Sequence, residues 1–358
     1  MKKKVLITGV AGFLGSRLAK ELIVEGNFVI GLDSLISGKI TNIQGLPDDQ
    51  FIFKEMDVCS RKILTDWDFK NIQEIYHLAS PTSPRHYPSY PFETIDANTI
   101  GTKNMLELAR RYQAKIVYAS AGEPYGYSEV HPQPKNAPAN VNTWGPLDCY
   151  YKAKRLGEVL CYEYFKQYQT NVKVARIFNS YSSGLANDDG RVISNFVIQA
   201  LKGEDITVYG DGTQTRSFCY VTDTINGMKL LMEKDTANGE IIDIGNPIEY
   251  PILDLAHLIK SLTNSTSKIT FHPLPEDDAK MISPNIEKTK TCLGWEPKVT
   301  LDEGLKFAID EYKRKERIGN SNETKKGLKE GFDDESFINF LRVLRNLSIF
   351  RKFHSKSL

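Results

Sequence analysis

A short apolar run, Val5–Thr8, opens directly onto Gly9-Val-Ala-Gly12-Phe-Leu-Gly15, and an amphipathic stretch follows at once. Few local patterns restrict a fold so strongly. The glycines allow a tight turn and close approach of the backbone to a pyrophosphate, and a helix starting there directs its positive end at that charge. Leu14, Leu18, Leu22 and Ile23 recur at helical spacing after the turn, as do Ile100, Met105, Leu106 and Ala109 further on. Between these stretches the runs Phe28–Leu32, Glu74–Ala79 and Lys115–Ser120 read as buried strands. Strand and helix in alternation predict an α/β fold, a Rossmann-type doubly wound parallel sheet.

A glycine triplet alone is weak evidence, because turns are rich in glycine anyway. Asp33, at the end of the second strand, strengthens it: a carboxylate there accepts hydrogen bonds from the adenosine ribose hydroxyls and repels a 2′-phosphate, which favours NAD over NADP. Asp57, after a third strand-like run, is a weaker candidate for the adenine edge.

Tyr150 and Lys154 stand four apart, so on a helix both side chains share one face. A neighbouring ammonium and a positive nicotinamide ring lower the phenol's pKa, and a tyrosinate can then take a hydroxyl proton while hydride leaves the same carbon. With 17 tyrosines in the chain such a spacing arises by chance; this pair counts because it follows a dinucleotide fingerprint.

The rhythm loosens after residue 178. The sequence suggests an NAD-binding Rossmann domain over 1–178, a smaller, mainly nucleotide-sugar-binding lobe over 179–314, and a polar linker followed by a basic amphipathic tail over 315–358. The linker reading covers Lys315–Gly331, and the helix before it is expected over Leu301–Arg314. Ser336–Leu358 carries Arg342, Arg345, Arg351, Lys352 and Lys356, no acidic residue, and Phe337, Phe340, Leu341, Leu344 and Leu347 at helical spacing. That pattern suits peripheral contact with an anionic membrane surface, or packing on its own domain or a dimer mate, and the second is the simpler.

A net charge of +1 gives no global electrostatic case for nucleic acid. The 5 cysteines are odd in number and scattered, which suits reduced thiols in a cytoplasmic protein rather than a disulfide framework. The 6 histidines lack metal-ligand spacing, no metal is expected, and Asp277 and Asp278 read as solvent-facing neighbours. No apolar run approaches the roughly 18 residues of a membrane span.

Taken together, GVAGFLG, HLASPTSP (His77–Pro84), NTIGTKNMLELA (Asn98–Ala109), Tyr150-x-x-x-Lys154, RIFNSY (Arg176–Tyr181), DGRVISNF (Asp189–Phe196) and VYGDGTQTRSF (Val208–Phe218) resemble the extended short-chain dehydrogenases. Within them the resemblance is to the UDP-glucuronate decarboxylases, over about residues 3–314. It implies oxidation of C4 of UDP-glucuronate with bound NAD, loss of carbon dioxide from the β-keto acid, and return of the hydride to give UDP-xylose. It also implies Tyr150 as base, Lys154 as the group that tunes it and holds the nicotinamide ribose, and Glu123 as the glutamate of the family's Thr-Ser-Glu-Val-Tyr-Gly motif.

The candidate cofactor contacts are Gly9, Gly12, Phe13, Leu14, Gly15, Asp33, Ser34, Ser37, Gly38, Asp57, Val58, Leu78, Ala79, Ser80, Asn98, Ala119, Tyr150 and Lys154. Asn179, Arg191, Asn195, Tyr209, Gln214 and Arg216 match the nucleotide side of the substrate. A homodimer through the helices beginning near Ile100 and Tyr150 is implied by analogy.

The sequence also departs from that family. Ser120-Ala121-Gly122-Glu123 stands where the family has Ser-Thr-Ser-Glu, so two hydroxyls at the reacting oxygen are gone. Losing one such preorganised donor costs on the order of a hundredfold or more in rate. Ser120, one step along the strand, is expected to face the other way. Asp96 replaces a lysine suited to the sugar carboxylate, Gly184 an arginine, and Ile282 another basic residue. These changes are expected to fall together in the sugar pocket, and three outcomes fit: decarboxylation; another C4 reaction (epimerisation, 4,6-dehydration or dehydrogenation) on a different, uncharged sugar; or a non-catalytic paralogue that keeps NAD.

Overall fold

The computed structural model describes residues 2–122, 145, 148–184, 189–274 and 281–324, with the backbone alone at 281–282 and 315–324. Met1–Glu316 form one compact unit and Arg317–Leu358 a second. Glu123, Asp277, Asp278 and the basic tail lie outside the described residues.

The first unit is built on a parallel sheet of 7 strands. Strands β1 (Lys4–Thr8), β2 (Phe28–Asp33), β3 (Phe51–Glu55), β4 (Glu74–His77), β5 (Lys115–Ala121) and β6 (Val172–Ile177) are joined at one edge by Ile241–Ile244. The spatial order from β3 is β3-β2-β1-β4-β5-β6 and then Ile241–Ile244, so the order reverses between β1 and β4. Ligands of doubly wound sheets bind outside the carboxyl ends of the strands at that reversal.

Both faces of the sheet are covered, which is why its strands read as nearly continuous apolar runs. Along β1 the side chains alternate: Val5 and Ile7 enter a core with Leu18 and Leu22 of helix α1 (Phe13–Val24), while Leu6 enters the opposite core with Met105 and Leu106 of α3 (Thr102–Tyr112). Trp295 and Leu305, from far along the chain, pack into the first of these cores.

Three expectations need correction. Strand β4 stops at His77, because the amides of Leu78 and Ala79 turn to the Thr8 hydroxyl, each at 3.1 Å. The last helix runs Leu301–Thr324, so the start of the expected linker is helical. Its Lys, Arg and Glu residues are good helix formers, and the single Gly319 costs only about 1 kcal/mol. Ile100, expected at one helical spacing with Met105, Leu106 and Ala109, is exposed while they are buried: it sits in a π-helical turn, Ala97–Gly101, between α2 (Pro91–Asp96) and α3.

Among the described residues no helix is long and apolar enough to cross a membrane.

Candidate active site

The glycine-rich turn leads from β1 into α1. Gly9 has φ +71°, and a Cβ on it would lie 2.9 Å from the Ala79 amide. A Cβ on Gly15 would strike the Gly9 backbone, with the carbonyl carbon at 2.8 Å, so this glycine lets helix and turn touch. Gly12 differs: a Cβ there would meet only the Gly9 oxygen, at 3.1 Å. It is the N-cap of α1 and makes no side-chain cap, so the first-turn amides face outward past half-buried Phe13 and Leu14. An uncapped, side-chain-free helix start at the switch point suits a pyrophosphate.

At the end of β2, Asp33 Oδ2 accepts from the Ala11 amide at 2.9 Å and Oδ1 from the Leu35 amide at 2.8 Å. Burial pushes its carboxyl pKa up, against backbone hydrogen bonds that hold it down. A Cβ on Gly38 would lie 2.9 Å from both carboxylate oxygens, so glycine keeps this face open, with Ser34 and Ser37 exposed beside it. A buried carboxylate bonded to backbone amides, with lone pairs to spare, fits a ribose diol. The residues present therefore fit a bound dinucleotide.

Asp57 is exposed and accepts from the Cys59 amide at 2.8 Å, and the neighbouring Val58 is buried with its carbonyl bonded to Asn104 Nδ2 at 2.8 Å. Asn98 is a brace in the π-helical turn. Its Nδ2 donates to Ser80 Oγ at 2.8 Å and to the Thr94 carbonyl at 2.7 Å, and its Oδ1 accepts from Tyr118 at 3.1 Å.

Tyr150 and Lys154 lie on α4 (Asp148–Tyr168), both buried. Lys154 Nζ donates to the Ala119 carbonyl at 2.7 Å and lies 5.8 Å from the Tyr150 ring centroid. Sequence reasoning missed Tyr87. Its ring lies flat on that of Tyr150, centroids 5.1 Å apart and planes within 9°, and Ala121 joins them in one apolar cluster. Nothing in the local pattern around Tyr87 signalled this contact.

Behind the pair, His77 is fully buried between the hydroxyls of Thr8 (2.7 Å) and Thr102 (3.1 Å). Burial above all, and then the Lys154 ammonium, push its pKa down to about 3, so it stays neutral.

Ser120 turns away as expected: its hydroxyl donates to Glu158 at 2.6 Å, and Glu158 is paired with Arg176 through bonds of 2.8 and 2.7 Å. Ala121 thus faces Tyr150 without a hydroxyl. At Gly122 a Cβ would run into the Phe178 ring, so the second lost hydroxyl has an aromatic ring in its place.

The other departures have different neighbours among the described residues. Asp96 is exposed and close enough to Cys59 to help push that thiol up to about 12, after burial and Asp57; it lies on the side of the candidate adenine residues. A Cβ on Gly184 would meet the Phe13 ring at 2.6 Å, beside the glycine-rich turn. Ile282 alone lies on the nucleotide side, its backbone in register with Arg216.

On that side, Arg216 sits mid-strand in Thr215–Ser217, and Gln214 Nε2 donates to the Tyr209 carbonyl at 2.7 Å. Tyr209 is half exposed near His272. Arg191 caps helix α5 (Val192–Lys202), which carries Asn195, and is held by Asp189 at 3.1 Å and Thr82 at 2.9 Å. Asn179 Nδ2 is buried with no hydrogen-bond partner, an unmet donor suited to a ligand oxygen.

A buried phenol and ammonium sharing the switch point with an anion-accepting turn is the arrangement of the short-chain, dinucleotide-dependent dehydrogenases. The family described as "NAD dependent epimerase/dehydratase family" matches residues 5–245, and the chain belongs to it. It is an NAD-dependent enzyme, and the non-catalytic alternative is set aside.

UDP-glucuronic acid decarboxylase 1 of Danio rerio is 44% identical over 314 residues, 87% of this chain and 73% of that protein. Among solved structures, UDP-glucose 4-epimerase of Thermotoga maritima superposes with a TM-score of 0.80 at 28% identity, covering 87% of this chain and 99% of the other. UDP-glucuronic acid 4-epimerase of Bacillus cereus, in complex with UDP-glucuronic acid and NAD, gives 0.78 at 27% identity, with 87% and 99% covered.

Proposed function

We propose that the chain oxidises C4 of a nucleotide sugar, and that its reaction is the decarboxylation of UDP-glucuronate to UDP-xylose. The observation that carries this is the buried Tyr150–Lys154 pair at the carboxyl edge of the sheet, in a chain 44% identical to a UDP-glucuronic acid decarboxylase.

When bound, NAD supplies the acceptor for the C4 hydride and gives that hydride back after carbon dioxide has left. Tyr150 takes the proton of the C4 hydroxyl, and the Lys154 ammonium favours the tyrosinate. A ketone at C4 lies β to the C6 carboxylate, so the electrons of the breaking C5–C6 bond flow towards the C4 oxygen, and a proton from solvent then bonds to C5 in place of carbon dioxide and restores the C4 ketone. Tyr150 can protonate that oxygen or accept from it as the charge moves. Asn179, Asn195, Gln214, Tyr209, Arg191 and Arg216 would hold the nucleotide side, and Glu123 would be the further catalytic residue that the resemblance implies.

In this reading residues 1–178 mainly carry NAD and 179–314 the nucleotide sugar. A second reading, a C4 reaction on a sugar without a carboxylate, is favoured by Ile282, which stands beside Arg216 where a basic residue is expected.

A homodimer through the helices beginning near Ile100 and Tyr150 is supported by the exposed Ile100, Leu156, Val159 and Tyr162, with Phe92 and Ile95 exposed on the adjoining α2. Five cysteines without a disulfide agree with a cytoplasmic setting.

The test is to incubate purified protein with NAD and UDP-glucuronate and follow the mass of the nucleotide sugar. Conversion to a UDP-pentose supports decarboxylation. An unchanged mass together with an unchanged chromatographic peak, NAD still bound, discards UDP-glucuronate, whereas an isomer of the same mass, separable by chromatography, would indicate epimerisation.

A further inference from the structure

The segment Thr82–Tyr87 joins the nucleotide side of the site to its reacting centre. At one end Ser83 Oγ donates to the Asp189 carbonyl at 2.5 Å, and Arg191 donates to Thr82 Oγ1 at 2.9 Å. At the other end is Tyr87, stacked on Tyr150.

Between them stands Arg85, whose backbone is fixed from both sides. Its amide donates to Ser83 Oγ and its carbonyl accepts from Ser89 Oγ, each at 3.1 Å. Its stem crosses Gly190. A Cβ there would lie 3.0 Å from Arg85 Cγ and 3.3 Å from Nε, so the arginine stem lies close over the glycine, whose φ of +86° is a conformation that favours glycine.

The two arginines flanking this glycine differ. Arg191 is paired with Asp189 at 3.1 Å. Arg85 is exposed, and among the described residues its guanidinium has no carboxylate partner. A surface arginine without a partner is ordinary. This one has a hydrogen-bonded backbone two residues before the ring on Tyr150, and its stem lies against Gly190, next to Arg191.

We infer that Arg85 is a specificity-determining residue that binds the carboxylate of a hexuronate sugar. This rests on the nucleotide-sugar reading above. A planar guanidinium fork matches a carboxylate through two parallel hydrogen bonds. The position of Arg85, between Arg191 on the nucleotide side and Tyr87 at the phenol, suits the anionic end of the sugar better than the diphosphate.

The NAD-loaded full chain, as wild type, Arg85→Ala and Arg85→Lys, is titrated calorimetrically with UDP-glucuronate, UDP-glucose and UDP. The inference expects Arg85→Ala to raise the Kd for UDP-glucuronate about tenfold or more, with the other two within about twofold, and Arg85→Lys to keep part of the affinity. An equal loss for all three ligands would assign Arg85 to the diphosphate. An unchanged Kd for UDP-glucuronate, or a wild type with no preference for it over UDP-glucose, would remove the proposed contact; each of these results overturns the inference. Because the readout is binding, Arg85-dependent binding of UDP-glucuronate without turnover would contradict the decarboxylase reading alone.

Discussion

Tyr87 and Tyr150 lie face to face, their ring centroids 5.1 Å apart, with Ala121 closing the third side of the cluster. The phenol that would move the substrate proton is thus oriented by an aromatic ring and a methyl group, where a hydroxyl at residue 121 would donate a hydrogen bond. Restoring that hydroxyl is the direct probe. Ala121→Ser should raise kcat by about tenfold to a hundredfold with little change in the thermal midpoint. Gly122→Ser should instead destabilise the protein by about 1–3 kcal/mol, because its side chain runs into Phe178. Steady-state rates and thermal melts on the two variants separate these effects.

The two inner glycines of the turn should fail differently. Gly15→Ala forces a methyl group into the Gly9 backbone, and about 3 kcal/mol of stability should be lost even without cofactor. In Gly12→Ala the methyl meets one carbonyl oxygen at 3.1 Å, so the fold should survive while NAD, approaching the uncapped start of α1, is excluded. Urea unfolding of the apoprotein and NAD content after purification tell the two apart.

His77 gives the fold a defined pH dependence. Its folded pKa is depressed to about 3 from an ordinary value of 6.5, so in acid the unfolded chain takes a proton that the native chain refuses. Its contribution is fully present above about pH 6.5 and is lost as pH falls towards 3, at up to about 1.4 kcal/mol per pH unit. Replacing His77 with Gln, which can still bond Thr8 and Thr102, should flatten the pH dependence of urea stability between pH 4 and 6 by about one proton. An unchanged slope would place the titrating group elsewhere.

The apolar face on α4 leads to a prediction about assembly. Leu156 is 49% and Val159 53% exposed in the single chain. Leu156→Glu with Val159→Glu should convert a dimer to a monomer, read by light scattering, without lowering NAD content.

Most of the cofactor end was legible in the sequence because its requirements are local. A strand, a glycine turn and a helix follow one another along the chain, and Asp33 ends the next strand. Tyr150 and Lys154 were legible for the same reason, being one helical turn apart. Tyr87 and Arg85 were not, because their roles depend on contacts with Tyr150 and Gly190, far along the chain. The same limit applies to Asp96 and Gly184: a departure from a family pattern says that a contact has changed, and only the fold shows that one lies near Cys59 and the other on Phe13. Helix length past Arg314 was misjudged because polar composition was read as a linker although its residues favour helix.

The central claim is that Tyr150 drives C4 oxidation in an NAD-loaded site. Its most direct test is a single-turnover stopped-flow experiment with UDP-glucuronate, following absorbance at about 340 nm in wild type and Tyr150→Phe. The account expects a transient rise and decay in wild type, slowed at least about a hundredfold in the variant at equal NAD content. The same transient in Tyr150→Phe, or none in wild type with any UDP-sugar, would contradict it.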